Sequence, residues 1–323
     1  MEKSIAGIHH VTAITGDPQG NLDFYVGVLG LRFVKKTVNF DAPDTYHFYY
    51  GDDLGRPGTI LTFFAWPNLP VGQHGTGEVA ALAFSIPPTA LAYWQERLSQ
   101  RGISVEGPLT RFDEQVLRFS DPNGLPLELV THPVASSSAP WTLGPIPTEF
   151  ALRGFHSVTL AVASPELTGA VLTQVLGLQS LNRNGQRARY AAGDGTGAAT
   201  LVDVLLLTAT PVPRNIQGLG SVHHVAWRTA TFDEQITWRE RIAATGLRPT
   251  AVLDRNYFRS IYFKEPGSVL FEIATDEPGF AIDEDPTELG VHLKLPAWYE
   301  EQYAEIERQL PPVEIPAFEP GRG

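Results

Sequence analysis

The sequence predicts an α+β protein made of four copies of one βαβββ module, and three observations predict it. Segments of alternating, β-branched or aromatic character recur as "GIHHVTAIT" (7–15), "GEVAALAFSI" (77–86), "GFHSVTLAV" (154–162) and "GSVHHVAWRT" (220–229), each of strand length. A helical stretch follows each one and stops at a glycine backed by an apolar residue: Gly30-Leu31, Gly102-Ile103, Gly177-Leu178 and Gly246-Leu247. A glycine in the left-handed conformation just past the helix explains that punctuation. Short strand-like runs come next and close on "GTILTFFAWP", "GLPLELVTH", "AATLVDVLLL" and "GSVLFEIAT".

The elements follow in chain order. Asp17 is a candidate N-cap for the first helix, with Pro18 at its first helical position. In the second, "PPTALAYWQERLSQRG" sets Leu91, Trp94 and Leu98 on one face. The third helix starts at Ser164-Pro165 and the fourth at Thr231 or Asp233. "NLPVGQHGTG" joins modules 1 and 2, and the Ser/Pro-rich "PVASSSAPWTLGPIP" joins modules 2 and 3. These joins give an N-terminal domain over 5–134 (modules 1 and 2), a linker over 135–152, a C-terminal domain over 153–276 (modules 3 and 4) and a tail over 277–323. In the tail, Tyr299, Tyr303, Ile306 and Leu310 recur at intervals of four, three and four, an amphipathic helix stopped by prolines that packs onto the modules or a second copy.

Composition excludes several functions. A formal net charge of −12 with scattered basic residues argues against a nucleic-acid partner. No apolar run is long enough to cross a bilayer and no secretory segment follows Met1, so no membrane partner is expected and a cytoplasmic location is. With no cysteine, the chain has no disulfide and no thiolate chemistry, and a metal must be held by His, Asp or Glu. A homo-oligomer stays open.

The module order resembles that of the vicinal oxygen chelate superfamily, the glyoxalase/bleomycin-resistance/dihydroxybiphenyl dioxygenase fold, over residues 5 to 275. The resemblance implies that the modules pair into two curved mixed sheets. It also implies that each module can offer one metal ligand from its first strand and one from its last. The first-strand positions are His10, Ala81, Ser157 and His224. Glu128 and Glu272 each fall six residues after a proline, Pro122 and Pro266, in matching last strands; Phe63 and Asp203 lie near the corresponding places. Modules 1 and 4 thus supply His10, His224 and Glu272, while modules 2 and 3 offer no imidazole. The chain's two histidine doublets, His9-His10 and His223-His224, therefore mark the strands that feed a metal. Two imidazoles and one carboxylate leave three octahedral positions open, the arrangement of non-haem Fe(II) oxygenases.

At "GIHHVTAIT", "VHHVAWR", "DRNYFRSIYFKEP" and "LFEIAT" the chain resembles the ring-cleaving dioxygenases that act on para-hydroquinones. That likeness implies Fe(II), with Mn(II) the alternative metal, and a small aromatic diol and O₂ as partners, in the degradation of aromatic compounds. It further implies catalytic roles for His9, Thr12, His223, Arg255 and Tyr262. A glyoxalase-like isomerase or lyase, or a non-catalytic small-molecule binding or resistance protein, are the alternatives. Phe63, Trp227 and Phe258 are available to wall an apolar pocket, and His47 has the character of a strand filler. His156 aligns with His9, whereas His74, His132 and His292 fall in or near loops.

Overall fold

The computed structural model describes residues 4–133, 135, 139–208 and 211–318, so part of the linker and the last residues of the tail lie outside it. Module 1 runs β1 (Ile8–Thr15), α1 (Pro18–Leu22), β2 (Arg32–Asn39), β3 (Ala42–Gly51) and β4 (Ile60–Ala65). Module 2 runs β5 (Glu78–Ile86), α2 (Leu91–Gln100), β6 (Glu106–Arg111), β7 (Glu114–Ser120) and β8 (Pro126–Thr131). Module 3 contains β9 (Phe155–Val162), α3 (Pro165–Ala170), β10 (Gln179–Asn184), β11 (Arg187–Ala191) and β12 (Leu201–Leu206). Module 4 contains β13 (Val222–Thr229), α4 (Phe232–Ala244), β14 (Leu253–Asp254), β15 (Arg259–Lys264) and β16 (Leu270–Thr275).

All four helix-stopping glycines adopt positive φ, between 71° and 85°. Pro18 does occupy the first turn behind Asp17, although the Asp17 side chain makes no cap hydrogen bond. Of the two candidates for the fourth helix, Thr231 is the N-cap and accepts from the Glu234 amide. Modules 1 and 3 extend their short helices with a π-helical turn, Asp23–Val28 and Val171–Val175.

Two mixed eight-stranded sheets result, and each takes one module from either half of the chain. Their orders are β14-β15-β16-β13-β1-β4-β3-β2 and β10-β11-β12-β9-β5-β8-β7-β6. Modules 1 and 4 meet through antiparallel β1 and β13, and modules 2 and 3 through β5 and β9. One face of every first strand is apolar: Val11, Leu82, Val158 and Val225 join Leu22, Trp94, Leu172 and Trp238 from the helices in one core. Because strand side chains alternate, the neighbouring positions face the other side, where the polar residues gather.

The tail is helical in two pieces, a 3₁₀ stretch at Ala297–Gln302 and then α5 at Tyr303–Gln309, ending before Pro311. It packs on module 1. Ile306 and Leu310 are buried, the Tyr299 hydroxyl donates to the Phe40 carbonyl at 2.8 Å, and Tyr46 donates to Pro311 at 2.9 Å. Ahead of it, the fully buried Lys35 ammonium is held by Asp283 and Glu284, each at 2.7 Å. Among the described residues no helix is long and apolar enough to cross a membrane.

Candidate metal centre

His10, His224 and Glu272 converge from β1, β13 and β16. The two Nε2 atoms stand 3.3 Å apart, and Glu272 Oε2 lies 3.3 Å from His10 Nε2 and 2.9 Å from His224 Nε2. All three residues are buried. Register brings them together: His10 faces Ala226 and Thr12 faces His224 across β1–β13, and Glu272 lies beside Ala226 in parallel β16. A residue 214 positions away thereby becomes a neighbour.

Each histidine doublet sits at a β-bulge. The β1–β13 register slips between Ile8 and His10, which leaves His9 as the extra residue, and again between Thr12 and Ala13, which leaves His223. A regular strand would send adjacent rings to opposite faces; a bulge re-aims one of them. The result is the same pair twice: Nδ1 to Nδ1 distances of 2.9 Å (His9–His10) and 2.8 Å (His223–His224), with rings 81° apart in both. One nitrogen of each close pair carries the hydrogen. A hydrogen on His10 Nδ1, donated to His9 Nδ1, is the tautomer that a ligand binding through Nε2 requires. That arrangement leaves His10 Nε2 a bare lone pair pointing at Glu272.

The donor set fits a divalent cation. Burial and the neighbouring histidine hold His223 as a neutral imidazole, down to about 3, and burial, against the pull of Glu272, lowers His224 as well. Burial opposes the charge on Glu272, and its pKa lies well below the usual carboxylate range only through positive charge at His10 and His224, which a bound cation would supply once both imidazoles are neutral. Ser260 donates its hydroxyl to Glu272 Oε1, while Oε2 has no hydrogen-bond partner among the described residues. An unpartnered buried carboxylate oxygen is costly. Ligands about 2.1 Å from one ion stand about 3.0 to 3.4 Å apart, close to the separations observed here.

At the equivalent place in module 1, strand parity near Phe63 is resolved one residue earlier. Thr62 lies beside Thr12 in parallel β4 as Glu272 lies beside Ala226, and Phe63 points into the core. The core decides this, since burying a phenylalanine is worth roughly 1.5–3 kcal/mol. The Thr62 hydroxyl is engaged by Thr12 at 2.8 Å and by His47 Nε2 at 2.9 Å. A threonine so committed offers no fourth donor of carboxylate or imidazole type.

Above the cluster opens a cavity of about 460 Å³. His10, His224, Thr12 and His223 line it, as do Arg255 and Tyr262; His9 does not and lies behind His10 against Phe258. Arg255 Nε donates to the Tyr262 hydroxyl at 3.3 Å and its Nη1 meets the exposed Asp41 at 3.1 Å. Burial and the Glu272 charge push the Tyr262 phenol up, against Arg255, so it remains a proton donor. Of the expected apolar walls only Phe258 is present; Phe63 and Trp227 belong to the core, and Phe40, Phe64 and Trp66 take their place. His47 is no filler: it lines the cavity, bonded to Thr62 and, at 3.0 Å, to the Tyr49 hydroxyl. Among the described residues none of the tail lines it.

Such a fold and site define a class, and comparison with known proteins gives the family. Residues 7–129 and 154–273 match the Glyoxalase/Bleomycin resistance protein/Dioxygenase superfamily, and the chain belongs to it. It is 44% identical over 98% of its length to "Putative ring-cleaving dioxygenase MhqO" of Bacillus subtilis, covering 99% of that protein. It is 36% identical to the chlorohydroquinone/hydroquinone 1,2-dioxygenase of Sphingobium indicum over 91% of this chain and 92% of the relative. A crystal structure of a "putative dioxygenase" from Bacillus subtilis superposes with a TM-score of 0.92 at 43% identity, covering 98% of this chain and all of the other.

Proposed function

We propose that this chain is a ring-cleaving dioxygenase that joins O₂ to a hydroquinone-type aromatic diol, with Fe(II) held by His10, His224 and Glu272. The observation that carries the reading is the convergence of two imidazole Nε2 atoms and the unpartnered Glu272 Oε2 on the floor of an aromatic-walled cavity. Bound Fe(II) would supply open coordination positions and the one-electron chemistry that lets O₂ react with a closed-shell diol.

The remaining roles belong to the chain. Phe40, Phe64, Trp66 and Phe258 receive the aromatic ring and keep water from it. His223 presents a neutral imidazole to the cavity; its Nδ1 accepts from His224, so its Nε2–H is a donor that orients a diol oxygen. The Arg255 guanidinium favours the phenolate formed when one diol hydroxyl releases its proton to water. Tyr262, kept protonated, returns a proton to oxygen as the ring opens. His9 is a positioning residue that fixes the tautomer of His10. Thr62 supports dioxygen chemistry over isomerisation, because the module 1 last strand brings no fourth ligand to close the site.

The test is anaerobic loading with Fe(II) followed by an oxygen-electrode assay. Hydroquinone and methylhydroquinone should each consume one O₂ per diol and give a ring-opened product with a new ultraviolet absorption. No uptake with either diol or with catechol, in protein shown to contain Fe(II), would reject the reading in favour of an isomerase.

A further inference from the structure

The second sheet holds the counterpart of the metal cavity, and its chemistry is reversed. A cavity of about 670 Å³ is lined by Ala81 and Glu128, which stand where module 4 has His224 and Glu272, together with Thr159 and Arg187 from module 3 and Arg118 from β7. Its other walls are mixed, with Ile103, Phe119, Leu127 and Leu205 beside Ser104, Ser120 and the rim carboxylate Glu106.

Every carboxylate behind this cavity is already satisfied. Arg111 grips Glu128 with both Nη atoms at 2.6 Å. Asp203 receives Arg189 Nε at 2.8 Å and Nη2 at 3.1 Å, and Arg189 Nη1 reaches Glu114 at 2.7 Å. Two guanidiniums are left incompletely used. Arg187 spends Nη1 on Thr159 at 2.9 Å and Asp203 at 3.0 Å, and no acceptor among the described residues meets its Nε or Nη2. Arg118 gives Nε to Glu128 at 3.2 Å, and its Nη1 stands 3.7 Å from the exposed Glu106 at the rim. Both line the cavity beside Glu128. In this cluster Arg111, Arg118, Arg187 and Arg189 face Glu114, Glu128 and Asp203, with the exposed Glu106 at the rim, so the charges balance in number and the unused guanidinium edges of Arg187 and Arg118 mark the site.

We propose that this cavity is a binding site for a small organic carboxylate, whose two oxygens bridge Arg187 and Arg118 while its apolar body rests on Ile103, Phe119 and Leu127. A carboxylate matches guanidinium donors in geometry as well as charge. The apolar part of the wall selects a body that a bare inorganic anion lacks. The site is independent of the metal centre, which lies in the other sheet.

The experiment is calorimetric titration of the full-length, Fe(II)-loaded protein under anaerobic conditions, with benzoate as the probe and benzyl alcohol and sulfate as controls. Benzoate should bind, benzyl alcohol and sulfate at least tenfold more weakly. Arg187→Met should weaken benzoate at least tenfold, and so should Arg118→Gln, while His224→Ala should leave this binding in place. Arg187→Met keeps Asp203 paired with Arg189, and Arg118 is half-exposed, so Arg118→Gln answers the question even if the first variant folds poorly. Benzoate binding no tighter than that of benzyl alcohol, binding untouched by both arginine variants, or binding lost with His224→Ala would each overturn the proposal.

Discussion

In the sheet built from modules 1 and 4, the inward positions nearest the seam carry His10, His224, Glu272 and Thr62; in the sheet from modules 2 and 3 they carry Ser157, Ala81, Glu128 and Asp203. The bulges are conserved between the sheets even where the ligands are not. Extra residues Ala80 and His156 occupy the places of His223 and His9, and His156 Nδ1 still meets its neighbour, Ser157 Oγ, at 2.9 Å. What differs is the residue paired across the strand from each carboxylate position. In the first sheet these are tyrosines, Tyr49 opposite Thr62 and Tyr262 opposite Glu272. In the second they are arginines, Arg118 opposite Glu128 and Arg189 opposite Asp203. A frame that leaves its carboxylate to a neutral phenol must find a cation elsewhere. A frame with guanidiniums at the same points supplies its own.

The largest expected effect separates the two frames directly. His10→Ala, His224→Ala or Glu272→Ala should abolish stoichiometric Fe(II) retention and lower O₂ uptake at least about 10³-fold. Ser157→Ala, at the equivalent position, should change neither. Metal analysis after gel filtration reads both, and equal losses in His10→Ala and Ser157→Ala would remove the distinction between the sheets. Next comes Arg189→Met, which strips the buried Asp203 of its two-pronged partner and leaves Glu114 with His156 alone. Breaking one partner out of a buried network costs about 3–5 kcal/mol, to be read from urea unfolding, whereas chelator should not destabilise this sheet.

How much of this could be seen in the sequence depends on whether the signal is local. The modules were legible because glycine stops and strand alternation are properties of a few adjacent residues. The grouping of His10, His224 and Glu272 followed from parity and a resemblance, and strand register brings the three side chains within 3.3 Å of one another. Thr62 was missed by one residue, because register is set by core packing of Phe63 on the far face. His47 and Ser260 were missed because their partners, Thr62 and Glu272, are brought near only by strand pairing. The bulges had a signal that parity reasoning can use. Two adjacent histidines in an otherwise apolar strand would force one ring into the core, and a bulge is the way out. The arginine network had one too: Arg187 and Arg189 share a strand face, two residues apart, opposite Asp203.

The Tyr-to-Arg difference can be tested by moving it. Tyr262→Arg places a guanidinium across from Glu272, as Arg118 lies across from Glu128. The protein should still fold and the guanidinium should compete with the ion, weakening Fe(II) affinity about 10- to 100-fold. The metal-free protein should be no less stable than wild type in thermal unfolding. Undiminished Fe(II) affinity in a folded Tyr262→Arg protein would show that the cross-strand residue does not set the charge preference.

The smallest effect concerns acid. Glu114 and Phe258 each precede by eight residues the proline that marks their module's last hairpin, Pro122 and Pro266. Phe258 packs on His9 through apolar contact, whereas Glu114 accepts from His156 Nε2 at 2.8 Å and Arg189 Nη1 at 2.7 Å. Burial would raise the Glu114 pKa, but His156 and Arg189 outweigh it and bring it from 4.5 to about 2. A carboxyl whose folded pKa is depressed binds fewer protons folded than unfolded, so its contribution is complete above pH 4.5 and is lost as pH falls toward about 2. With solvent screening of a partly accessible group, this amounts to about 1 to 2 kcal/mol. Glu114→Gln should therefore lower stability near neutral pH by that amount and flatten the acid limb, while the two proteins converge below about pH 2. Urea unfolding at a series of pH values measures it; parallel curves for wild type and Glu114→Gln across the acid range would mean that the charge pair contributes nothing that titrates.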